Sequence, residues 1–466
     1  MAIEKTGIVF FPAFDWAISP THPEREERLL YTRDQIFEEG VLDLPQVVEY
    51  PPRLSTLHDI NRVHFCIPGV QSQVTEAHLI AAGATMLLGD RILTGEIKNG
   101  FALVRPPGHH AMRLVHGNRG FCNINNEAVL VDYLRHRYGI KKLVIVDSDV
   151  HHGDGTQDIF YHDPDVLCIS FHQDGRTIYP GSGFTNELGG PGAYARTINI
   201  PLPPGMTDET FHYLVENLVL PILRDFQPEF IINSAGQDNH YTDPLGSMRF
   251  TAQGYAEFTR KLNPHLAVLE GGYAIETALP YVNLGILLAL AGEDYSHVQE
   301  PDYQPGRMKE NAELAAKVRQ MINQTYEIWK NRDSVDIEKL FGSGRFYQRK
   351  KHIYYDTDHI DEEQVESVRL CHSCPGFITI DSQANYGYGR LARAYCISVP
   401  FNACSSCQAE AYDAYEEEKR QPHYQFVYMQ NKSTDTYLTY DCEKRQELVS
   451  EELPMRADVL SIKHEN

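Results

Sequence analysis

The sequence predicts an α/β fold, a three-layer parallel sheet with helices on both faces, followed by a small C-terminal Cys-rich domain. Three observations carry that prediction. Apolar runs recur that each end in polar residues and glycine, and helical stretches alternate with them. Beyond residue 300 the character changes, and six of the nine cysteines crowd past residue 370. Continuous rather than alternating apolar character marks strands buried on both faces, as in a parallel sheet covered by helices.

In chain order, Gly7–Phe11 is the first run, and Glu26–Glu39 has helical character after His22-Pro23-Glu24-Arg25. Residues 50–80, with Pro51, Pro52 and Pro68, read as irregular. Phe101–Val104 passes into Arg105-Pro106-Pro107-Gly108-His109-His110, where adjacent prolines stop any regular element. A helix is expected over Asn126–Tyr138, closed by Gly139. Runs at 143–146, 166–169, 230–232 and 266–269 repeat the pattern. They lead into Asp147, Ser170-Phe171-His172, Asn233-Ser234-Ala235-Gly236-Gln237-Asp238 and Glu270-Gly271-Gly272-Tyr273. Ligands of open α/β sheets bind beyond the carboxyl ends of the strands, so the polar groups of five runs are expected to meet at one edge.

The densest chemistry lies in Leu143–Gly155, where an apolar run meets three carboxylates and two imidazoles. In an extended chain Asp147, Asp149 and His151 share one face. Two carboxylate oxygens and an imidazole nitrogen there suit a divalent metal such as zinc, the alternative being a solvated turn after a buried strand. Asp238 is the candidate third ligand; taken alone it reads better as a cap or turn carboxylate, and its position after an apolar run like the other two is what raises it. The set Asp149, His151 and Asp238 leaves coordination positions open, as a catalytic metal needs.

Composition narrows the partners. The formal charge of −22, from 42 Lys+Arg against 64 Asp+Glu, argues against direct nucleic-acid binding and suits cationic partners. Met1–Phe11 has no leader pattern, and the apolar run Leu284–Ala291 is far short of the roughly 20 residues that span a bilayer. A cytoplasmic protein with no membrane partner is therefore expected, and an oligomer is compatible with the sequence. Nine cysteines without an export signal do not read as a disulfide framework. Cys371-His372-Ser373-Cys374 and Cys404-Ser405-Ser406-Cys407 are tandem CxxC knuckles, read as a second, structural zinc site of ribbon type on Cys371, Cys374, Cys404 and Cys407. Cys396 or His372 could replace a ligand, and redox-active or merely buried thiols are the alternative. Met308–Trp329 reads as an amphipathic helix, Arg345–Lys351 as a polar connector and Asp413–Glu418 as a solvated helix face.

Four motifs in order, Arg105–Ala111, Asp147–Gly155, Ser234–Asp238 with Asp243-Pro244-Leu245-Gly246, and Glu270–Tyr273, resemble the zinc-dependent histone deacetylase family, which includes acetylpolyamine amidohydrolases. The resemblance covers about the first 300 residues. It implies an arginase/deacetylase-like catalytic domain over 1–305, leaving a helical linker over 306–345 and the Cys-rich domain over 346–466. By the same resemblance Asp149, His151 and Asp238 hold a catalytic Zn2+, with Fe2+ an alternative occupant. His110 becomes the general base and acid, His109 its neighbour, Asp147 the partner of His109 and Asp154 the partner of His110. Tyr273 falls at the transition-state tyrosine. Gly120, Phe121 and Tyr179 fall on the walls of an acyl-lysine tunnel, where the family often has phenylalanine in place of Tyr179. Leu245 stands where the polyamine-selective eukaryotic branch has a glutamate that reads a distant ammonium. The family's K+ lies near Asp147 and Ser170. Manganese ureohydrolases such as arginase share a related fold but need further aspartates at the places of Gly153 and Gly236, so a binuclear centre is not expected. The function expected is metal-dependent removal of acyl groups, acetyl first, from lysine side chains of peptides or related acylated amines. The alternatives are an acetylpolyamine or small acylamine deacetylase, a non-catalytic acyl-lysine binding module, and an adaptor acting through its Cys-rich tail.

Overall fold

The computed structural model describes residues 4–449 except 20, 302 and 388. The chain divides into two compact units, Met1–Ser343 with Tyr355–Asp358, and Gly344–Tyr354 with His359–Asn466.

In the first unit eight strands form one sheet: β1 (Thr6–Phe11), β2 (Val47–Glu49), β3 (Asn99–Val104), β4 (Leu143–Asp147), β5 (Val166–Gln173), β6 (Thr197–Leu202), β7 (Phe230–Ala235) and β8 (Leu266–Leu269). They lie parallel in the order β2-β1-β3-β8-β7-β4-β5-β6. Successive residues of one strand feed opposite cores. Leu103, Val144, Val146 and Ile169 join one apolar cluster, whereas Ala102, Val104, Ile145 and Cys168 join the other. The period-two alternation of a strand therefore presents apolar side chains to helices on both faces, which is why these runs are unbroken in sequence. Pro201 sits in β6, an edge strand, where a missing N–H is tolerated.

The helix Asn126–Tyr138 has the expected bounds. The Asn125 side chain accepts from the Ala128 N–H at 2.8 Å, and Gly139 closes the helix at φ 68°. Glu26–Glu39 becomes a 3-10 turn, Glu26–Leu29, followed by the helix Leu30–Glu38. Residues 50–80 are more ordered than expected: they hold the helix Leu57–Asn61 and the first turn of Glu76–Leu93. The prolines stop at Pro68, and small residues then let the longer helix pack closely; a Cβ on Gly83 would collide with the Arg53–Ser55 backbone. Ala312–Asn331, within the stretch expected as a linker, belongs to the first unit. It begins where Asn311 accepts from Glu313 and Leu314 N–H groups, and its buried Trp329 donates to Asp225 Oδ2 at 2.8 Å. Among the described residues no helix is long and apolar enough to cross a membrane.

The second unit is a seven-stranded sheet in sequential order: β9 (Phe346–Tyr355), β10 (Ile360–Arg369), β11 (Ile378–Asn385), β12 (Leu391–Val399), β13 (Phe426–Asn431), β14 (Thr436–Asp441) and β15 (Gln446–Val449). β12 and β13 run parallel because the helix Ser405–Glu418 crosses between them. Arg345–Lys351, read as a connector, is instead largely strand β9. Its cations at period two, Arg349 and Lys351, both pair with the buried Glu366 of β10, so a charged segment is held in a sheet. On the helix, Asp413, Glu416 and Glu417 are exposed while Tyr415 is buried.

Candidate active site

Four neighbouring strands, β3, β8, β7 and β4, deliver the polar motifs to one edge, at the crevice where the order of strand addition reverses. Register aligns their ends: Asp147 lies beside Ser170 and Ser234, and Leu269 beside Ala235. β4 stops at Asp147, and two local side-chain to backbone bonds carry the chain onward. Asp147 Oδ1 accepts from the Asp149 N–H at 3.0 Å, and Asp149 Oδ1 from the His151 N–H at 2.8 Å. These turns separate what a straight strand would keep together. Asp147 Oδ2 faces His109 Nδ1 at 3.0 Å, whereas His151 Nδ1 lies 3.1 Å from both Asp149 Oδ1 and Asp238 Oδ2.

The donor atoms of Asp149, His151 and Asp238 all lie within 4.8 Å of one another. The backbone is drawn tightly round them. A Cβ on Gly271 would strike both carboxylates, one on Gly236 would strike Asp149, and one on Gly153 would strike Asp147. An aspartate at 153 or 236 has no room, so the binuclear set is sterically closed. Burial disfavours a charged His151, yet its bonds to Asp149 and Asp238 push it up to about 10. Two carboxylates around one point thus hold a positive charge, as a divalent cation site requires. Outer bonds orient the donors: Asp149 Oδ2 accepts from the Gly271 N–H and Asp238 Oδ1 from the Val150 N–H, both at 2.8 Å.

The adjacent His109 and His110 rings lie 4.1 Å apart, centroid to centroid. His110 Nδ1 meets Asp154 Oδ1 at 2.8 Å, which leaves Nε2 for the cavity. Burial and the neighbouring His109 hold His110 down to about 3, so the ring is neutral at pH 7. Burial would lower His109 as well, but Asp149 and Asp147 outweigh it and raise His109 well above the ordinary imidazole range. Sequence reasoning missed Arg119, which binds Asp154 through Nη1 at 2.8 Å and Nη2 at 2.6 Å and neutralises it. Glu270, the first residue of the fourth motif, gains its role only in the fold. Its Oε2 accepts from the Gly108 and His109 N–H groups at 2.8 and 3.0 Å and so fixes the turn that carries the histidines.

These groups open into a cavity of about 330 Å³ lined by His109, His110, His151 and Tyr273, with Gly120, Phe121, Tyr179, Leu245 and Asp356 also on its surface. The Tyr273 ring meets Phe121 edge-on at 5.6 Å, and burial raises its hydroxyl well above the usual range, so it keeps its proton. Asp243 accepts from the N–H groups of Tyr273 at 2.6 Å and Leu245 at 2.9 Å, tying both to one carboxylate. Behind them lies a buried charge network that sequence reasoning missed. Arg28 donates to Gly272 O at 2.7 Å and to Glu24 at 2.8 Å, and Arg105 donates to the other Glu24 oxygen at 2.6 Å. Gly120 and Phe121 adopt φ of 53° and 70°, and a Cβ on Gly120 would strike the His110 ring. His152, in contrast, turns away to Ser182 and Gln157.

The Histone deacetylase domain matches residues 68–285, a span that holds the histidine pair, the three donors and Tyr273. A "Probable deacetylase" of Archaeoglobus fulgidus is 42% identical over 325 residues, 64% of this chain and 89% of that protein. The "Histone deacetylase-like amidohydrolase" of Pseudomonas aeruginosa is 33% identical over 256 residues, half of this chain and 66% of its own. The crystal structure of the HDA15 HD domain superposes with a TM-score of 0.62 at 30% identity, covering 72% of this chain and 97% of that one. Since the likeness to the archaeal protein runs through nearly all of that relative and the matched span carries the whole constellation, the chain belongs to the histone deacetylase family and is a metal-dependent deacetylase.

Proposed function

We propose that the protein hydrolyses the amide between an acetyl group and the Nε of a lysine side chain, or the equivalent amide of a small primary amine. The family implies a catalytic zinc, and the donor set of Asp149, His151 and Asp238 fits it; when bound, the metal polarises the acyl carbonyl and acidifies water. Neutral His110 takes a proton at Nε2 from water as the water oxygen bonds to the carbonyl carbon. It then delivers that proton to the amide nitrogen as the C–N bond breaks. Asp154, neutralised by Arg119, holds the ring so that Nε2 faces the substrate. Charged His109 and the Tyr273 hydroxyl stabilise the developing oxyanion, the hydroxyl contributing about 3 kcal/mol. Phe121 and Tyr179 flank the alkyl stem. Leu245 puts no carboxylate at its place on the lining, which favours acyl-lysine over acylpolyamine.

The observation that carries this reading is a neutral, oriented His110 on the same cavity as Tyr273 and His151, whose donor atom lies within 4.8 Å of those of Asp149 and Asp238. Replacing His110 by Ala or Tyr273 by Phe is expected to abolish amine release from acetyl-lysine peptides and acetylpolyamines while metal content stays unchanged. Normal turnover in either variant would overturn the mechanism.

We further propose a structural zinc on Cys371, Cys374, Cys404 and Cys407, whose sulfurs lie within 4.8 Å of one another. The Ser373 N–H, 3.5 Å from its sulfur, helps hold Cys371 down to about 6, in the thiolate form that binds zinc. A potassium ion beside Asp147 and Ser170, neighbours in register on β4 and β5, completes the proposed ion set. Dependence of turnover on added K+ against Na+ tests it.

A further inference from the structure

The turn Tyr355–Asp358, though it joins strands β9 and β10, belongs to the first unit. It is fastened there along one loop. The buried Tyr355 hydroxyl donates to Leu114 O at 3.1 Å, and Asp358 Oδ2 accepts from the Asn118 N–H at 2.6 Å. Between them Asp356 lines the cavity. Its Oδ1 accepts from the Gly120 N–H at 2.8 Å and from the Tyr179 hydroxyl at 3.1 Å, so a single oxygen ties two lining residues together. Burial keeps the Tyr179 hydroxyl protonated and able to donate. The tie matters because Phe121, next to Gly120, is held at φ 70°, a conformation that a non-glycine residue adopts only when its surroundings impose it. Asp356 is only partly buried, and its Oδ2 takes no hydrogen bond from the described residues.

Resting on the reading above, we propose that Asp356 is a specificity-determining residue. Oδ1 sets the spacing of Gly120 and Tyr179, and Oδ2 accepts a hydrogen bond from an N–H donor on the amine side of the substrate, where the alkyl stem leaves the cavity. On an acetyl-lysine peptide that donor is a main-chain N–H; on a monoacetylated diamine it is the free ammonium. A charged carboxylate rewards either with a charge-assisted hydrogen bond, and a substrate without such a donor receives nothing.

The test compares full-length wild type with Asp356→Asn and Asp356→Ala on three probes: an acetyl-lysine tripeptide, monoacetyl-1,4-diaminobutane and N-butylacetamide, which has no donor beyond the reacting amide. Asn keeps an oxygen for Gly120 and Tyr179 but turns Oδ2 into a donor. The expected result is that Asp356→Asn lowers kcat/KM for the donor-bearing probes at least tenfold more than for N-butylacetamide, mainly through KM. Which of the two falls further tells the main-chain source from the ammonium. Asp356→Ala, which also releases the walls, lowers kcat on all three. Equal losses on all three probes with Asp356→Asn overturn the proposal while leaving the deacetylase reading standing. Wild-type failure on every probe overturns that reading instead, and the proposal with it.

Discussion

The two clusters of metal-binding side chains are built on opposite principles. Asp149, His151 and Asp238 offer oxygen and nitrogen from three positions beyond two strands, His151 on the cavity wall and both carboxylates buried and steadied by backbone N–H groups. Cys371, Cys374, Cys404 and Cys407 offer four sulfurs from two local knuckles; only Cys407 is fully buried. Three mixed donors leave coordination positions for a reacting group, whereas four thiolates close the shell. The second set therefore suits holding its unit together and the first suits chemistry. The difference also governs how each can be read. A knuckle is contiguous, but the open site needs β4 and β7 to be neighbours.

The contrast can be broken at its strongest point by replacing Asp238 with Ala. Amine release should fall by at least about 1,000-fold, since the metal and its polarising effect are lost together, while thiol-bound zinc measured by elemental analysis should persist. Retained activity would sink the donor assignment. Replacing Cys371 and Cys404 with Ser should do the reverse, removing one zinc equivalent and lowering the thermal midpoint of the second unit by about 5 °C or more; unchanged zinc content would mean the thiols hold none. A finer test is Arg119→Gln. The cation beside Asp154 helps hold His110 low, so its removal makes His110 easier to protonate and should move the acid limb of the kcat/KM profile to higher pH. A shift downward or none would contradict the assigned base.

The smallest effect is on stability. Burial keeps His78 and His110 neutral in the folded protein, down to about 4 and about 3, whereas unfolded imidazoles protonate near 6.5. At these two positions the unfolded chain then binds more protons, so each should remove ~1.4 kcal/mol of stability per pH unit as pH drops from 6.5 toward 4, while His109 and His151, raised by their carboxylates, act in the opposite sense. Urea midpoints of wild type and His78→Gln at pH 7 and pH 5 isolate the His78 share: the variant should lose less stability on acidification than wild type, and an equal loss in both would count against that burial.

The sequence by itself determined the strands and the motifs at their ends. Full burial on both faces leaves unbroken apolar runs at 101–104, 143–146 and 166–169, and the polar residues that follow fall at or just beyond the carboxyl ends of the strands. The helix Asn126–Tyr138 was legible because its cap residues are local. What was hidden depended on distant partners. Arg349 and Lys351 read as a connector because the buried Glu366 that pairs with them is not local, and nothing around Glu24 and Arg28 in sequence announces the burial that Arg105 and Gly272 complete. Charged side chains read as surface unless the partner that buries them is in view, and Glu366 lies 17 residues from Arg349 while Glu24 lies 81 residues from Arg105. Asp356 is the extreme case: nothing near it in sequence refers to Gly120 or Tyr179, and only the folded chain brings its carboxylate to the cavity.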